Sequence, residues 1–462
     1  DGNGNVTTYS YGAGWDAKTD ALNNVFKNEY FFDGRLKNTK VNEAVKNYYA
    51  YEIVGNELVT TEYASVAEWN KSITAFDRNI RQKNYPDGYV QSFYFDEYGR
   101  QSRIEDNCNN KTRNIYGSTT SELYQQWQNG ILTEFATGNA VDENTEEIFS
   151  YDRVYSYYQG ARILITETRI YRNSLKVRNF NSGNIHTAIK EYYNNGKVIE
   201  TITDKGVITV NTYLNDNLQS SESESVGVIK HVYDEFNRSF GYDYTEKGIA
   251  KSIRYALDGN NNVLSMMQVA NTENRNYSYE IDKLNRRVKK TTPEGIQREY
   301  SYNAQGQIIE RTGSAYPQQY EYDIQGRLTS LTTYRNVNTP EVTTFEYDNR
   351  GWMCRKTYDD ENTEEYTYRG DGSIANVTNA RGQVIQCFYD TFNHMSAMQG
   401  AGIYWEYLYD YRGLLLRACN GSYYQNFGYD EYGKLTSENF SDISNTEIAY
   451  FYDGFNRPTG YS

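Results

Sequence analysis

Aromatic and polar residues alternate along much of this chain. Gln319-Tyr320-Glu321-Tyr322, Glu365-Tyr366-Thr367-Tyr368 and Tyr404-Trp405-Glu406-Tyr407-Leu408-Tyr409 all repeat with a period of two, as a strand does when its two faces differ. Each run ends in a cluster of Asp, Asn and Gly, and a new run then begins, as at Leu328 and Leu331. This pattern predicts hairpin after hairpin, with two strands and two short turns per unit. Two segments read differently. Val41 to Tyr49 has a helix-like composition and is expected to form a turn or two of helix, and Ser220 to Ser225 is expected to be an exposed loop and a candidate for phosphorylation.

Aligning the turns reveals an internal repeat. Anchors at Tyr213, Tyr233, Tyr255, Ile281, Tyr302, Tyr322, Tyr347, Tyr368, Tyr389, Tyr409, Tyr429 and Tyr452 follow one another at intervals of 20 to 26 residues. Four positions beyond them stand Asn217, Asn237, Gly259, Asn285, Gly306, Gly326, Gly351, Gly372, Asn393, Gly413, Gly433 and Asn456. All are Gly or Asn, the residues that most readily enter the left-handed region, so this position is expected to carry a backbone requirement. Directly after the anchor, nine of the twelve positions are Asp or Asn: Asp234, Asp282, Asn303, Asp323, Asp348, Asp390, Asp410, Asp430 and Asp453. An Asp there accepts from the amide two residues on, and the left-handed residue turns the chain back. The unit Tyr-Asp-x-x-Gly-Arg therefore reads as strand end, turn and strand start, with a bulge expected beside the turn.

Upstream the pattern fades. Tyr151, Tyr171 and Tyr193 keep the spacing, with Asn194-Asn195-Gly196-Lys197 as a turn one residue shorter. Phe95-Asp96-Glu97-Tyr98-Gly99-Arg100 is a full copy, while Phe32-Asp33-Gly34-Arg35 and Trp127-Gln128-Asn129-Gly130 are worn ones. Residues 151–462 are thus expected to form the regular array. Residues 1–150 are expected to be divergent hairpins of the same wall, with a separate small β-domain as the alternative.

Composition narrows the picture. There are 49 tyrosines and only 5 prolines among 462 residues, and mean hydropathy is −0.85. Low hydropathy with a net charge of −14 would fit disorder, but aromatics make up 16% of the chain, and disordered segments lack them. Tyrosine suits a half-wet sheet surface. The acidic balance argues against a nucleic-acid partner, and no apolar stretch is long enough to span a membrane as a helix.

Candidates for chemistry are few. Cys108, Cys354, Cys387 and Cys419 are far apart and form no CxxC pair, which gives zinc or redox work little support and leaves their disulfide state open. Of the three histidines, His186, His231 and His394, the last occupies the arginine slot of a turn. Nucleophile elbows, P-loops and HExxH motifs are absent. Asp359-Asp360-Glu361-Asn362 with Glu364 and Glu365 could hold calcium but reads better as a solvated hairpin tip. Arg369-Gly370-Asp371 has the tripeptide of integrin-type adhesion, but sits where a turn is due and reads better as a slipped turn. The sequons Asn110-Lys111-Thr112 and Asn420-Gly421-Ser422 are expected by chance in an Asn-rich chain. No catalytic, cofactor or metal site is expected.

The units Tyr322–Arg327 and Phe95–Arg100, with variants at Tyr233–Arg238, Tyr429–Lys434 and Tyr452–Arg457, resemble RHS/YD repeats. That family includes bacterial Rhs toxins, B and C components of insecticidal toxin complexes, wall-associated proteins and teneurins. The resemblance implies a ribbon of hairpins spiralling into a hollow shell, which encloses an effector in toxins and presents adhesion surfaces in teneurins. The Asp-Pro core motif that directs self-cleavage in Rhs proteins has no counterpart, because the chain contains no Asp-Pro. About 15 units at roughly 4.8 Å per strand make a ribbon on the order of 140 Å, enough for one turn of a shell.

The expected fold is therefore all-β, an array of antiparallel hairpins in a continuous curved sheet. The expected role is a non-catalytic wall, shell or filament segment at the cell surface or outside the cell. Alternatives are a glycan- or protein-binding adhesion module and an encapsulating segment of an Rhs-type toxin. Open sheet edges are expected to pair with other copies or flanking repeats.

Overall fold

A computed structural model describes residues 1–54, 57–64, 67–74, 79–85, 89–107, 110–117, 122–128, 131–158, 161–174, 176–181, 186–193, 195–204, 207–223, 227–246, 248–270, 273–336, 338–348, 350–390, 392–410, 412–430, 433–441, 447–452 and 458–462. The described residues form 42 strands and no helix. The pairings described are antiparallel and join strands adjacent in sequence, as in Trp15–Thr19 with Val25–Tyr30 and Gln318–Tyr322 with Leu328–Asn336. At roughly 4.8 Å per strand the ribbon is on the order of 200 Å long, longer than the repeat count implied. The surplus is one of strand number, 42 against the roughly 30 of fifteen two-strand units.

A single sheet layer has no thick interior. Along Val384–Tyr389, Val384, Gln386 and Phe388 are exposed while Ile385, Cys387 and Tyr389 are half-buried, so alternation separates a wetter face from an aromatic one. Among the described residues, fully shielded apolar side chains are scattered: Ala17, Val59, Phe149, Tyr171, Ile253 and Ala418. Polar groups are buried as well, and Glu167 is 1% exposed between Arg153 (2.6 Å) and Arg169 (3.0 Å). Burying a charge is tolerable only when it is paired in this way.

Several sequence expectations are corrected. The segment Val41–Tyr49 is not helical: Val41 pairs with Ala44 across a two-residue turn at Asn42 (φ 47°) and Glu43 (φ 69°). Two consecutive left-handed residues match the twist of a tight hairpin, and strand pairing overrides the local helical composition. Ser220–Ser223 lie in the strand Asn217–Ser223, with Ser223 buried; residues 224 and 225 lie outside the described residues. Tyr151 is not at a turn but in mid-strand, facing Gly138 and Arg169. The turn before Lys197 has the usual length, because Tyr192 pairs with Val198 and Tyr193 takes the place of the Asp.

The chain divides into two compact units, residues 1–110 with 253–384, and residues 111–252 with 385–462. In the first unit the later hairpins sit on the earlier ones. The Asn3 amide donates to Asp258 (2.6 Å), the Gly259 N–H donates to Asn3 Oδ1 (3.0 Å), and the Asn3 N–H donates to Asn260 Oδ1 (3.2 Å). Further along, Gln325 Nε2 donates to the Lys46 carbonyl (2.8 Å), and the Arg350 guanidinium lies 4.3 Å from the Tyr89 ring centre.

Candidate functional site: the turn edge and the tyrosine row

The repeat turns that open on Asp are built around that carboxylate. At Asp323, Oδ1 accepts the Arg327 amide (2.9 Å), Oδ2 accepts Arg327 Nε (2.6 Å), and the Gly326 N–H donates to the Asp323 carbonyl (2.9 Å). Asp234, Asp282, Asp348, Asp390, Asp410 and Asp430 likewise accept the amide four residues on, from Arg238, Arg286, Trp352, His394, Leu414 and Lys434. The Arg238 amide, the strongest influence on Asp234, holds that carboxyl below its usual range. The fourth positions Asn237, Asn285, Gly306, Gly326, Gly351, Gly372, Asn393, Gly413 and Gly433 have φ between 63° and 90°. Asp453 and Asn456 lie outside the described residues.

Two positions in the twelve-unit alignment depart from it. Asn217 is in a strand, and the left-handed residues of its hairpin are Asn215 (φ 49°) and Asp216 (φ 66°). In the unit anchored on Tyr255 the left-handed residue is Asn261 (φ 70°) rather than Gly259, because the turn starts at Asp258 and its anchor is Leu257. In the worn copy near residue 32 the turn runs from Phe31 to Arg35, which makes Tyr30 its anchor.

A bulge follows each regular turn. Tyr322 pairs with Leu328 but Glu321 with Ser330, leaving Thr329 as the extra residue. The same shift occurs at Ile281, Tyr302, Tyr347, Tyr368, Tyr389, Tyr409 and Tyr429. The ladder is interrupted there, and the anchor tyrosine of the next repeat reaches back to that spot. Tyr322 Oη donates to the Ile308 carbonyl (3.0 Å), Tyr347 to Leu328 (2.8 Å), Tyr368 to Met353 (2.6 Å), Tyr429 to Leu415 (3.0 Å) and Tyr452 to Leu435 (2.8 Å). Each acceptor belongs to the residue opposite the preceding anchor. At these tyrosine anchors a phenylalanine would pack equally well but leave the carbonyl without its donor, whereas Ile281 anchors its turn by packing alone.

A second tie runs forward. The residue after the left-handed position packs against the next anchor ring: Arg286 on Tyr302 (4.5 Å), Arg327 on Tyr347 (4.8 Å), and, with tilted rings, Trp352 on Tyr368 (5.1 Å) and His394 on Tyr409 (5.0 Å). Neighbouring turns also touch, with Gln307 Nε2 donating to the Gly326 carbonyl (2.6 Å) and Arg350 to Gly370 (2.9 Å). Burial along this row raises the phenols of Tyr302, Tyr322, Tyr347, Tyr368, Tyr409 and Tyr429.

A different clamp recurs in the first half of the chain. An Asn and a Tyr two residues apart on one strand grip a carboxylate on an adjacent strand: Asn28 and Tyr30 on Asp16, Asn47 and Tyr49 on Glu62, Asn211 and Tyr213 on Glu200. The sequence reading missed this, although Asn-x-Tyr recurs in plain view. Burial first, then the Glu200 partner, pushes the Tyr213 phenol up to about 12. Hydrogen bonds from Lys40, then Asn38 and Lys27, draw Glu29 down to about 2.

The remaining candidates fall into structural places. His394 Nδ1 lies 3.3 Å from Asp390, replacing the arginine of other turns. Arg369 takes the first turn position, its N–H donating to the Ser373 carbonyl, and Gly370 is buried. Asp359 and Asp360 lie in a tip closed by Tyr358 and Asn362. Among the described residues no His, Cys, Asp or Glu cluster has the arrangement of a metal site, and Cys354, Cys387 and Cys419 are free thiols. No helix of the described residues is long and apolar enough to cross a membrane. Cys108 and the side chain of His186 lie outside the described residues.

Residues 316–461 match the family described as the teneurin YD-shell. Over those residues, about a third of the chain, its repeats are of the RHS/YD type. No curated protein sequence matches this YD-repeat chain. Among solved structures it is similar to the Photorhabdus luminescens Tc holotoxin pore carrying the TccC3-D651A mutation, with a TM-score of 0.55 and 11% identity over 96% of this chain and 27% of that one. It is also similar to TcdB2-TccC3-Cdc42 (0.53, 12% identity, 96% and 27%) and TcdB2-TccC3 (0.51, 12%, 99% and 33%). The YD-repeat chain thus spans about a third or less of those chains. At this identity the likeness is one of fold: an all-β wall of the YD-shell type.

Proposed function

We propose that this chain is a non-catalytic wall segment of a shell that works at the cell surface or outside the cell. The observation that carries this reading is the tyrosine row. Among the described residues, the Asp carboxylates close the turns and the anchor hydroxyls bridge the bulges from one repeat to the one before. A surface that commits its functional groups to its own continuity suits enclosure or spacing rather than turnover.

A second reading is specifically favoured by the likeness to toxin-complex structures: the segment walls off a toxic cargo. Small-angle scattering and negative-stain imaging of the purified chain test the wall. A hollow or sheet-like particle with β-type circular dichroism is expected, and a solid globular particle would sink both readings. Sequencing the gene on either side separates them, since only the second requires an effector-encoding region.

A further inference from the structure

The joint between the two rows of hairpins in the first unit leaves space beside its contacts. Gln325 of the later row donates to the Lys46 carbonyl and to Asn47 Oδ1 (3.0 Å). Its neighbour Ile324 faces a cavity of about 710 Å³, which Phe31, Val45, Tyr48 and Tyr49 of the earlier row also line. Small-molecule sites have volumes of roughly 300–1,000 Å³ and are likewise apolar with a few polar groups. The cavity follows the strand Ala44–Val54, which rises by about 13 Å from Val45 to Tyr49.

The walls are held by contacts of their own. Tyr48 stacks on Tyr63 (4.3 Å between ring centres), Phe31 meets Tyr51 edge-on (5.9 Å), and Tyr49 Oη donates to Glu62 (3.2 Å). Phe31 and Val45 nevertheless stay 39% and 38% exposed, so apolar surface is open to an occupant.

Charge selects that occupant. Lys37 is the one ionic side chain lining the cavity, and among the described residues no carboxylate pairs with it. The carboxylates nearby are engaged: Asp33 by Arg35, Glu29 by Lys27 and Lys40, and Glu62 by Asn47 and Tyr49. An apolar slot with one uncompensated positive charge complements an apolar body with one negative charge. A neighbouring cavity carries four lysines, Lys18, Lys27, Lys40 and Lys46, and is the competing place for an anion.

We infer that the cavity beside Ile324 binds an amphipathic monoanion of the medium-chain fatty-acid class. Its chain lies against Phe31, Val45, Tyr48 and Ile324, and its carboxylate meets Lys37. The site is separate from the tyrosine row and does not depend on the wall reading.

Titration calorimetry of the full chain with decanoate, and with decanol as its neutral counterpart, tests this. The wild type takes up one decanoate per chain and binds decanol about threefold to fivefold more weakly, the worth of one solvent-facing ion pair. Lys37→Gln lowers decanoate to the decanol level and leaves decanol unchanged. Val45→Asp weakens both about tenfold or more, because it sets a charge in the apolar wall. Val45 is partly exposed, so the circular dichroism of that variant stays that of wild type. Absence of saturable decanoate binding, or equal affinity for decanoate and decanol, overturns the proposal. Loss of decanoate binding in Lys46→Gln but not in Lys37→Gln places the anion in the lysine-lined cavity and overturns it too.

Discussion

At the residue scale, the anchor and the left-handed position do different work, and substitutions separate them. Tyr347→Phe keeps the ring under Arg327 and removes only the hydroxyl bonded to Leu328. It should cost about 1 kcal/mol in urea unfolding, the usual net worth of one such bond with a little added for the stranded carbonyl. Gly326 sits at φ 89°, so Gly326→Ala should cost about 1 kcal/mol. Asn393→Gly, at φ 64° in the same slot, should be neutral or slightly stabilising. Equal losses at both positions would show that the slot has no backbone requirement. The turn residues were legible in the sequence because Gly, Asn and Asp advertise their conformations. The partner of the anchor hydroxyl was not, since a backbone carbonyl has no letter of its own. Where two apolar residues compete, as Tyr255 and Leu257 do, the frame is decided by Asp258, whose amide bonds to the Asn262 carbonyl.

At the element scale, hairpins are joined by phenols and carboxylates, which makes the sheet sensitive to both extremes of pH. Tyr213 and Tyr366 are raised from 10.0 to about 12, with burial the first cause for each. A raised folded value means stability that is fully present below pH 10 and lost as pH rises through about 12. Absorbance near 295 nm should therefore show a late tyrosinate phase coinciding with loss of β signal; a single phase near pH 10 would contradict this. Glu29 has the opposite sign. Drawn from 4.5 to about 2 by Lys40, Asn38 and Lys27, it stabilises above pH 4.5, and that contribution disappears as pH falls through about 2. Strand content could be read from alternation, but the helix expected at Val41–Tyr49 could not survive pairing with both neighbouring strands. The Asn-x-Tyr clamps escaped notice because their meaning depends on which carboxylate lies opposite, and pairing sets that.

At the scale of the whole molecule, sequence spacing revealed a ribbon but not that one stretch of it lies upon another. That contact joins residues about 255 apart, and neither period nor composition encodes it. It depends on close approach. A methyl group on Gly259 would lie 2.3 Å from the Gly2 carbonyl oxygen, and Gly259 is outside the left-handed region, so steric conflict alone acts there. Gly259→Ala should speed proteolysis within residues 1–5 severalfold, whereas Gly460→Ala, with open space around it, should not. Equal rates for both variants would argue that the joint is loose in solution.

The bond from each anchor hydroxyl to the repeat before it also has a direction in time. During synthesis the acceptor carbonyl leaves the ribosome before its donor, as Leu328 precedes Tyr347 and Met353 precedes Tyr368. Each new repeat therefore meets a neighbour already in place, so the wall can be laid down course by course without waiting for its far end. Nascent chains stalled at successive repeats should acquire protease resistance in equal steps, and a single late step would refute vectorial growth.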